Sequence, residues 1–401
     1  MTSAESSDAR SGADPITTQV HHPYVPPAGF AAFAPAVHKA STVLFSSLEA
    51  LRGRAATGHQ GYSYGLHGTP TTYTLEQRIA TLEGGLHCVL APSGLAAITV
   101  VNLGLLKAGD EVLLPSNVYG PSREQARTLL AGWGIGHRLY DPMDAAGLAA
   151  MIGPQTRLVW VEAPGSVTME FPDLSALVDV VRAAGVVCAL DNTWGAGLAF
   201  DPFALGVDIS MQALTKYPSG GADVLMGSVV TRDAALHEKL LRAHGVLGLG
   251  VAANDCELIL RGLPSVRLRY EAHDRAAREL AEWLGTQACV SRVLHPAVAG
   301  APGHEHWRRH CRAAAGLFSV LFDERYSAAQ VDCFVESLKL FGMGFSWGGP
   351  MSLAVPYNLV AMRGAEAAPR GHLVRFSIGL EAVSDLKADL AQAIARAFAS
   401  A

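Results

Sequence analysis

The chain has 401 residues, half of them apolar, with 31 Lys plus Arg against 36 Asp plus Glu for a net charge of −5. That length exceeds one simple core and predicts two domains behind an N-terminal arm, and the mild acidity removes the electrostatic case for nucleic acid or an anionic membrane as partner. The opening MTSAESSDARSGADPITTQ has neither a basic start nor an apolar run, which predicts a cytoplasmic protein, and the scattered cysteines form no C-x-x-C pair, so reduced thiols are expected rather than a metal site or a disulfide framework.

Residues 1–60 read as an extended arm, because HHPYVPPAG is rich in proline and the stretch has weak periodicity. From 61 the pattern sharpens. TLEQRIATLEGG places Thr74 and Gln77 at capping-box spacing, sets Leu75, Ile79 and Leu82 on one face and stops at Gly84 and Gly85, which predicts a helix beginning near Thr74. Short apolar runs then alternate with helical segments: HCVLAPSG, EVLLPSN, GHRLYDP, TRLVWVEAPG, VVCALDNTW, DISMQALTK and LMGSVVT. This alternation predicts an α/β domain over 61–260, a mostly parallel sheet with helices on both faces. A helical stretch over 254–285, interrupted at Pro264, is expected to link this domain to a smaller α+β domain, so that 261–401 comprises the linking helix and GLFSVLFD, AAQVDCFVESL, FGMGFSWGG, HLVRFSIGL and a final helix from Ser384.

In an open α/β sheet, ligands sit beyond the carboxyl ends of the strands. There the sequence delivers Ser93 and Gly94 at a helix start, Tyr119, Asp191 and Lys216. Taken singly, each has an ordinary structural role: a helix start, a packed aromatic, a helix cap, a snorkelling lysine. Jointly they match pyridoxal 5'-phosphate (PLP), which needs a helix-held phosphate, a carboxylate for the pyridine nitrogen, an aromatic over the ring and a lysine that attaches to the aldehyde and moves protons at Cα.

The stretches YGLHGTPTTYTLEQRIATLEGG, LAPSGLAAI, VEAPGSVTMEFPD, LDNTWGAGLAFDPFALGVDISMQALTKY, SWGG and VRFSIGLE resemble, in order, the PLP-dependent enzymes of cysteine and methionine metabolism, the trans-sulfuration family. The resemblance implies the PLP-dependent transferase fold of type I. It implies Lys216 as the Schiff-base lysine, Asp191 on the pyridine nitrogen, Tyr119 stacked on the ring, and Ser93, Gly94, Leu95 and Thr215 around the phosphate. Arg375 would grip the substrate α-carboxylate, with Ser346 and Trp347 beside it. Tyr64 would enter the site of a neighbouring subunit, implying a dimer at least and a homotetramer by family habit. The implied activity is carbon–sulfur bond cleavage by α,β-elimination on a small sulfur-containing amino acid, the β-lyase branch; reactions at Cγ are the nearest alternative, cleavage of cysteine conjugates at large another, and a non-catalytic PLP-binding protein the rival from outside enzymes.

The sequence departs from the family pattern at Leu66, where an Arg usually reaches the phosphate across the interface, and at Ala213, where a Ser is common; Phe345, Pro350 and Met351 also differ from the β-lyase habit. His67, Arg52 and Arg54 are the cations expected to compensate for Leu66.

Overall fold

The computed structural model describes residues 14–22, 24, 26–54, 61–363 and 370–398, so the first part of the expected arm, 1–13, lies outside the described residues. The seven apolar runs form one sheet: β1 (His87–Ala91), β2 (Glu111–Pro115), β3 (Gly136–Tyr140), β4 (Thr156–Glu162), β5 (Val187–Asp191), β6 (Ile209–Gln212) and β7 (Gly227–Thr231), in the order β1-β7-β6-β5-β4-β2-β3. Strands β3, β2, β4, β5 and β6 are parallel neighbours, and β7 runs antiparallel between β6 and β1. Alternate side chains go to opposite faces of a strand, and here both faces are apolar. Leu113, Val159, Val161, Cys188 and Leu190 join one core, whereas Val112, Leu114, Leu158, Trp160 and Ala189 join another. Helices cover both faces, which is why these strands read as continuous apolar runs.

The first long helix spans Pro70–Glu83 rather than beginning at Thr74. Thr69 caps it and forms a capping box with Thr72, and Pro70 occupies the first position, where its missing N–H has no intrahelical partner to lose. Thr74 sits inside the helix, its hydroxyl donating to the Pro70 carbonyl at 2.8 Å. The helix stops at Gly84, whose φ of 75° is left-handed.

Helices Ala253–Gly262 and Val266–Gly285 are joined by a 3-10 turn containing Pro264. Ile259, Leu260, Leu263, Val266 and Tyr270 pack into the large-sheet core, and Ala277, Leu280, Ala281 and Leu284 pack with Phe318, Val320 and Phe376 of a second sheet. One rod thus ties two cores together.

That second sheet holds β8 (Val290–Leu294), β9 (Leu317–Phe322), β10 (Leu353–Tyr357) and β11 (His372–Ser377), all antiparallel, in the order β10-β11-β9-β8. The inner strands β9 and β11 carry the apolar runs seen in the sequence. The edge strands β8 and β10 are less regular: β8 has exposed positions and β10 contains Pro356, which is tolerated at an edge. FGMGFSWGG forms no strand; it is a loop tied to β10 through a bridge from Gly342 to Leu353.

Candidate active site

Beyond the carboxyl ends of the parallel strands lies a cavity of about 590 Å³. Asp191 closes β5, and Lys216 lies in the turn after β6. A carboxyl at the end of β5 and an amine in the turn after β6 thus come to one rim, and both side chains line the cavity.

Lys216 is mostly buried, and its Nζ donates to Ser346 Oγ at 2.9 Å. Removal from water disfavours the ammonium, the nearby Arg375 guanidinium adds repulsion, and Asp191 opposes both; the balance lowers the amine to about 8. Trp347 lies beside it, with Nζ 5.4 Å from the ring centroid. Burial raises the Asp191 carboxyl, while bonds from Thr193 and the charge of Lys216 pull it back. The Thr193 N–H donates to Asp191 Oδ1 at 3.0 Å, and the Thr193 hydroxyl accepts the Ala213 N–H at 2.9 Å, so Thr193 couples the loop after β5 to the turn bearing Lys216.

Ser93 caps the helix Gly94–Leu105, its hydroxyl accepting the Ala96 N–H at 3.0 Å. Among the described residues no acceptor meets the N–H groups of Gly94 and Leu95, which open onto the cavity. Gly94 is required there, since a Cβ would lie 2.7 Å from the Ala213 Cβ. Thr215 lines the cavity too, yet its hydroxyl donates to the Met226 carbonyl at 3.2 Å and accepts the Met226 N–H at 3.1 Å. Its single hydrogen is therefore engaged with the backbone.

Tyr119 follows β2 and precedes the helix Gly120–Gln125; the residue lines the cavity and is 42% exposed, and its N–H donates to Glu162 Oε2 at 2.8 Å. Arg375 comes from mid-strand β11, between β10 and β9. The residue is only 8% exposed, and its guanidinium has no ion pair among the described residues and makes one long bond of 3.4 Å to the Ser346 carbonyl. Tyr357 lies against it, with Cζ 5.1 Å from the ring centroid, and burial lowers its proton affinity. Ser346 adopts a φ of 126°, a conformation unusual for any residue but glycine.

The structure thus brings Ser93, Gly94, Leu95, Tyr119, Asp191, Thr215, Lys216, Ser346, Trp347 and Arg375 to one cavity. Tyr64 is not among them: it pairs with Thr42 and is 48% exposed. Leu66, His67, Arg52 and Arg54 also lie away from this cavity. Glu162, in the EAPGS stretch at the end of β4, lines it although the sequence assigned it no role, and Tyr357 and Met362 line it without having been singled out by sequence. Glu162 ends β4 as Asp191 ends β5, a signal that the sequence does carry; Tyr357 lies on an edge strand with none.

The donor set fits PLP. Two unmet N–H groups at the start of a full-length helix suit a phosphate, a carboxyl stands by for the pyridine nitrogen, and a lysine with lowered proton affinity waits as the amine.

Comparison with known proteins points the same way. A family described as Cys/Met metabolism PLP-dependent enzyme matches residues 16–395. Cystathionine beta-lyase of Bordetella avium is 41% identical over 95% of this chain and 98% of the relative. Cystathionine beta-lyase of Escherichia coli K12 is 36% identical over 90% of this chain and 93% of the relative. The crystal structure of cystathionine gamma synthase from Xanthomonas oryzae pv. oryzae, in complex with aminoacrylate and cysteine, superposes with a TM-score of 0.89 at 29% identity, covering 97% of this chain and 99% of that one.

Proposed function

Because the chain belongs to the Cys/Met metabolism PLP-dependent enzyme family, we propose that it is a carbon–sulfur lyase that cleaves L-cystathionine by α,β-elimination to homocysteine, pyruvate and ammonia. The observation that carries this reading is the Lys216 amine, lowered to about 8 under the opposing influences of the Asp191 carboxyl and of the buried Arg375 guanidinium, which has no ion pair among the described residues. Similarity to relatives named as cystathionine beta-lyases supports the choice of bond.

Lys216 would be the amine that joins the cofactor, Asp191 would serve its ring nitrogen, the Gly94 and Leu95 N–H groups would hold its phosphate, and Tyr119 would cover its ring. When bound, the cofactor supplies the electron sink that takes up the pair left at Cα. Arg375 offers a planar fork to the substrate α-carboxylate, which replaces the carboxylate partner that the guanidinium lacks. Lys216 Nζ, neutral in part near pH 8, takes the proton from Cα. The carbon–sulfur bond then breaks, the sulfur leaves with the electron pair, and Nζ returns the proton to it, releasing homocysteine. Water converts the remaining three-carbon part to pyruvate and ammonia. Ser346 Oγ, which accepts from Nζ at 2.9 Å, and Trp347 keep the amine in line during these transfers.

Tyr64 and the exposed apolar residues Phe30, Phe33 and Leu44 of the arm fit a second copy whose cavity receives Tyr64, and the assembly is a homotetramer. Among the described residues no helix is long and apolar enough to cross a membrane, and the site of action is the cytoplasm. The deciding experiment supplies L-cystathionine and identifies both products. Pyruvate with homocysteine is expected; 2-oxobutyrate with cysteine would replace this reading with cleavage at Cγ.

A further inference from the structure

Asp191 has an immediate neighbour to which no role falls in the scheme above. Glu162 ends β4 as the register partner of Asp191 at the end of β5. Parallel neighbours in register project side chains to the same face, with strands about 4.8 Å apart, and both carboxyls line the cavity. Two carboxylates so placed away from water disfavour each other's charge, so that the less well-supported one tends to keep its hydrogen.

Their surroundings decide which one holds the hydrogen. Asp191 accepts the Thr193 N–H and faces the Lys216 amine, each of which stabilises an anion. Glu162 accepts one backbone N–H, that of Tyr119, and no cation within ion-pair distance serves it among the described residues. Arg363, from the helix Leu359–Arg363, directs its N–H groups to the carbonyls of Ser116 and Ser166 and to the Thr168 hydroxyl. Tyr140, also close, donates to the Trp160 carbonyl at 2.8 Å. Burial and the Asp191 charge push the Glu162 carboxyl well up, against the smaller opposing pull of the Tyr119 N–H and the Arg363 charge, consistent with that asymmetry.

We propose that Glu162 is a positioning residue working as a neutral carboxylic acid: one oxygen accepts the Tyr119 N–H and fixes the ring over the cavity, while the hydrogen it keeps leaves the strand-end pair with one negative charge, on Asp191. This rests on the reading of Asp191 and Tyr119 given above. The carboxylate that faces the ring nitrogen then has no second anion beside it, and the aromatic cover is anchored by the same group.

The test compares wild-type holoenzyme with Glu162→Gln, a neutral isostere with an acceptor oxygen, and Glu162→Met, of similar length with none. Cofactor content after dialysis, cofactor absorbance from pH 6 to 9, kcat and KM are measured. Glu162→Gln should keep its cofactor, its absorbance profile and kcat to within about threefold, whereas Glu162→Met should lose about tenfold or more in kcat and shed cofactor, the effect of losing one buried hydrogen bond. A Gln variant as impaired as the Met variant would mean that the ionised carboxylate is needed, and a Met variant equal to wild type would mean that Glu162 has no role; either overturns the proposal. If borohydride fails to fix the cofactor on Lys216 in wild type, the site reading itself falls instead.

Discussion

The two sheets serve the same cavity in different ways. The large, mostly parallel sheet contributes groups at and just beyond its strand ends: Glu162 and Asp191 close β4 and β5, and the segments after β2 and β6 carry Tyr119 and Lys216 to the same rim. The small antiparallel sheet contributes Arg375 from the middle of β11, flanked on both sides by hydrogen-bonded neighbours. The large-sheet ions are mutually compensated, since Asp191 favours the charged form of Lys216 and Lys216 favours that of Asp191. Arg375 is buried against Tyr357 with no ion-pair partner among the described residues. A buried cation costs free energy unless paired, so under the proposed function the small sheet holds a charge whose partner would be the substrate carboxylate, whereas the large sheet holds opposite charges that temper one another before any ligand arrives.

The contrast breaks first at the large-sheet rim. Lys216→Ala removes both the point of attachment and the proton carrier, and turnover should fall by at least about a thousandfold while far-UV circular dichroism stays that of a folded protein; in wild type, borohydride should fix the cofactor on Lys216 and on no other lysine. Asp191→Asn keeps the shape but removes the anion, and a loss of about a hundredfold in kcat is expected with weakened cofactor retention; unchanged kcat would detach Asp191 from the chemistry. On the small-sheet side, Arg375→Lys retains a charge without the planar fork. Amino-acid binding should weaken by about 2 kcal/mol, near thirtyfold in KM, with cofactor content unaltered, and an unmoved KM would remove Arg375 from substrate binding.

The smallest effects concern stability, and the two regions should respond to pH in opposite senses. Beside the large sheet, Glu83 is fully buried, accepts from Asn192 Nδ2 at 2.9 Å and Ser210 Oγ at 2.5 Å, and is raised from 4.5 to about 7 by burial. A carboxyl raised on folding stabilises fully below 4.5, and that stability is lost as pH rises through about 7. Near the small sheet, His295 accepts the Ala297 N–H at 3.1 Å and is lowered from 6.5 to about 3 by burial. Its neutral form stabilises above 6.5, and that contribution is lost as pH falls towards about 3. Between 4.5 and 6.5 the two slopes oppose each other. Urea unfolding should therefore vary little with pH there in wild type. Glu83→Gln should become less stable as pH falls, His295→Asn as pH rises, each by up to roughly 1.4 kcal/mol per pH unit; parallel profiles for the two variants would contradict these assignments.

Much of the fold was legible because its strands are buried on both faces and must be apolar along their whole length: all seven large-sheet runs, and β9 and β11, appear where the sequence places them. The edge strands β8 and β10 escaped because one side of an edge strand meets solvent or accepts a proline, so neither alternation nor a continuous run survives. The helix over Pro70–Glu83 began earlier than expected because Thr69 followed by Pro70 is a stronger start than Thr74, whose hydroxyl turns back onto the helix instead. In the site, Asp191 and Lys216 were visible as charges ending apolar runs, and Glu162 carries the same mark.

The sequence by itself determined the family, the cofactor class and the order of the sheet-forming segments, because these depend on local runs, helix starts and residue types at short spacing. The tertiary structure alone decided which groups share the cavity and in what state. It set Glu162 in register with Asp191, turned the Thr215 hydroxyl towards the Met226 backbone, laid Tyr357 on the Arg375 guanidinium, and kept Tyr64 out of the cavity of its own chain. Charge, burial and proton affinity depend on neighbours distant in the chain, and only the folded sheets bring those neighbours together.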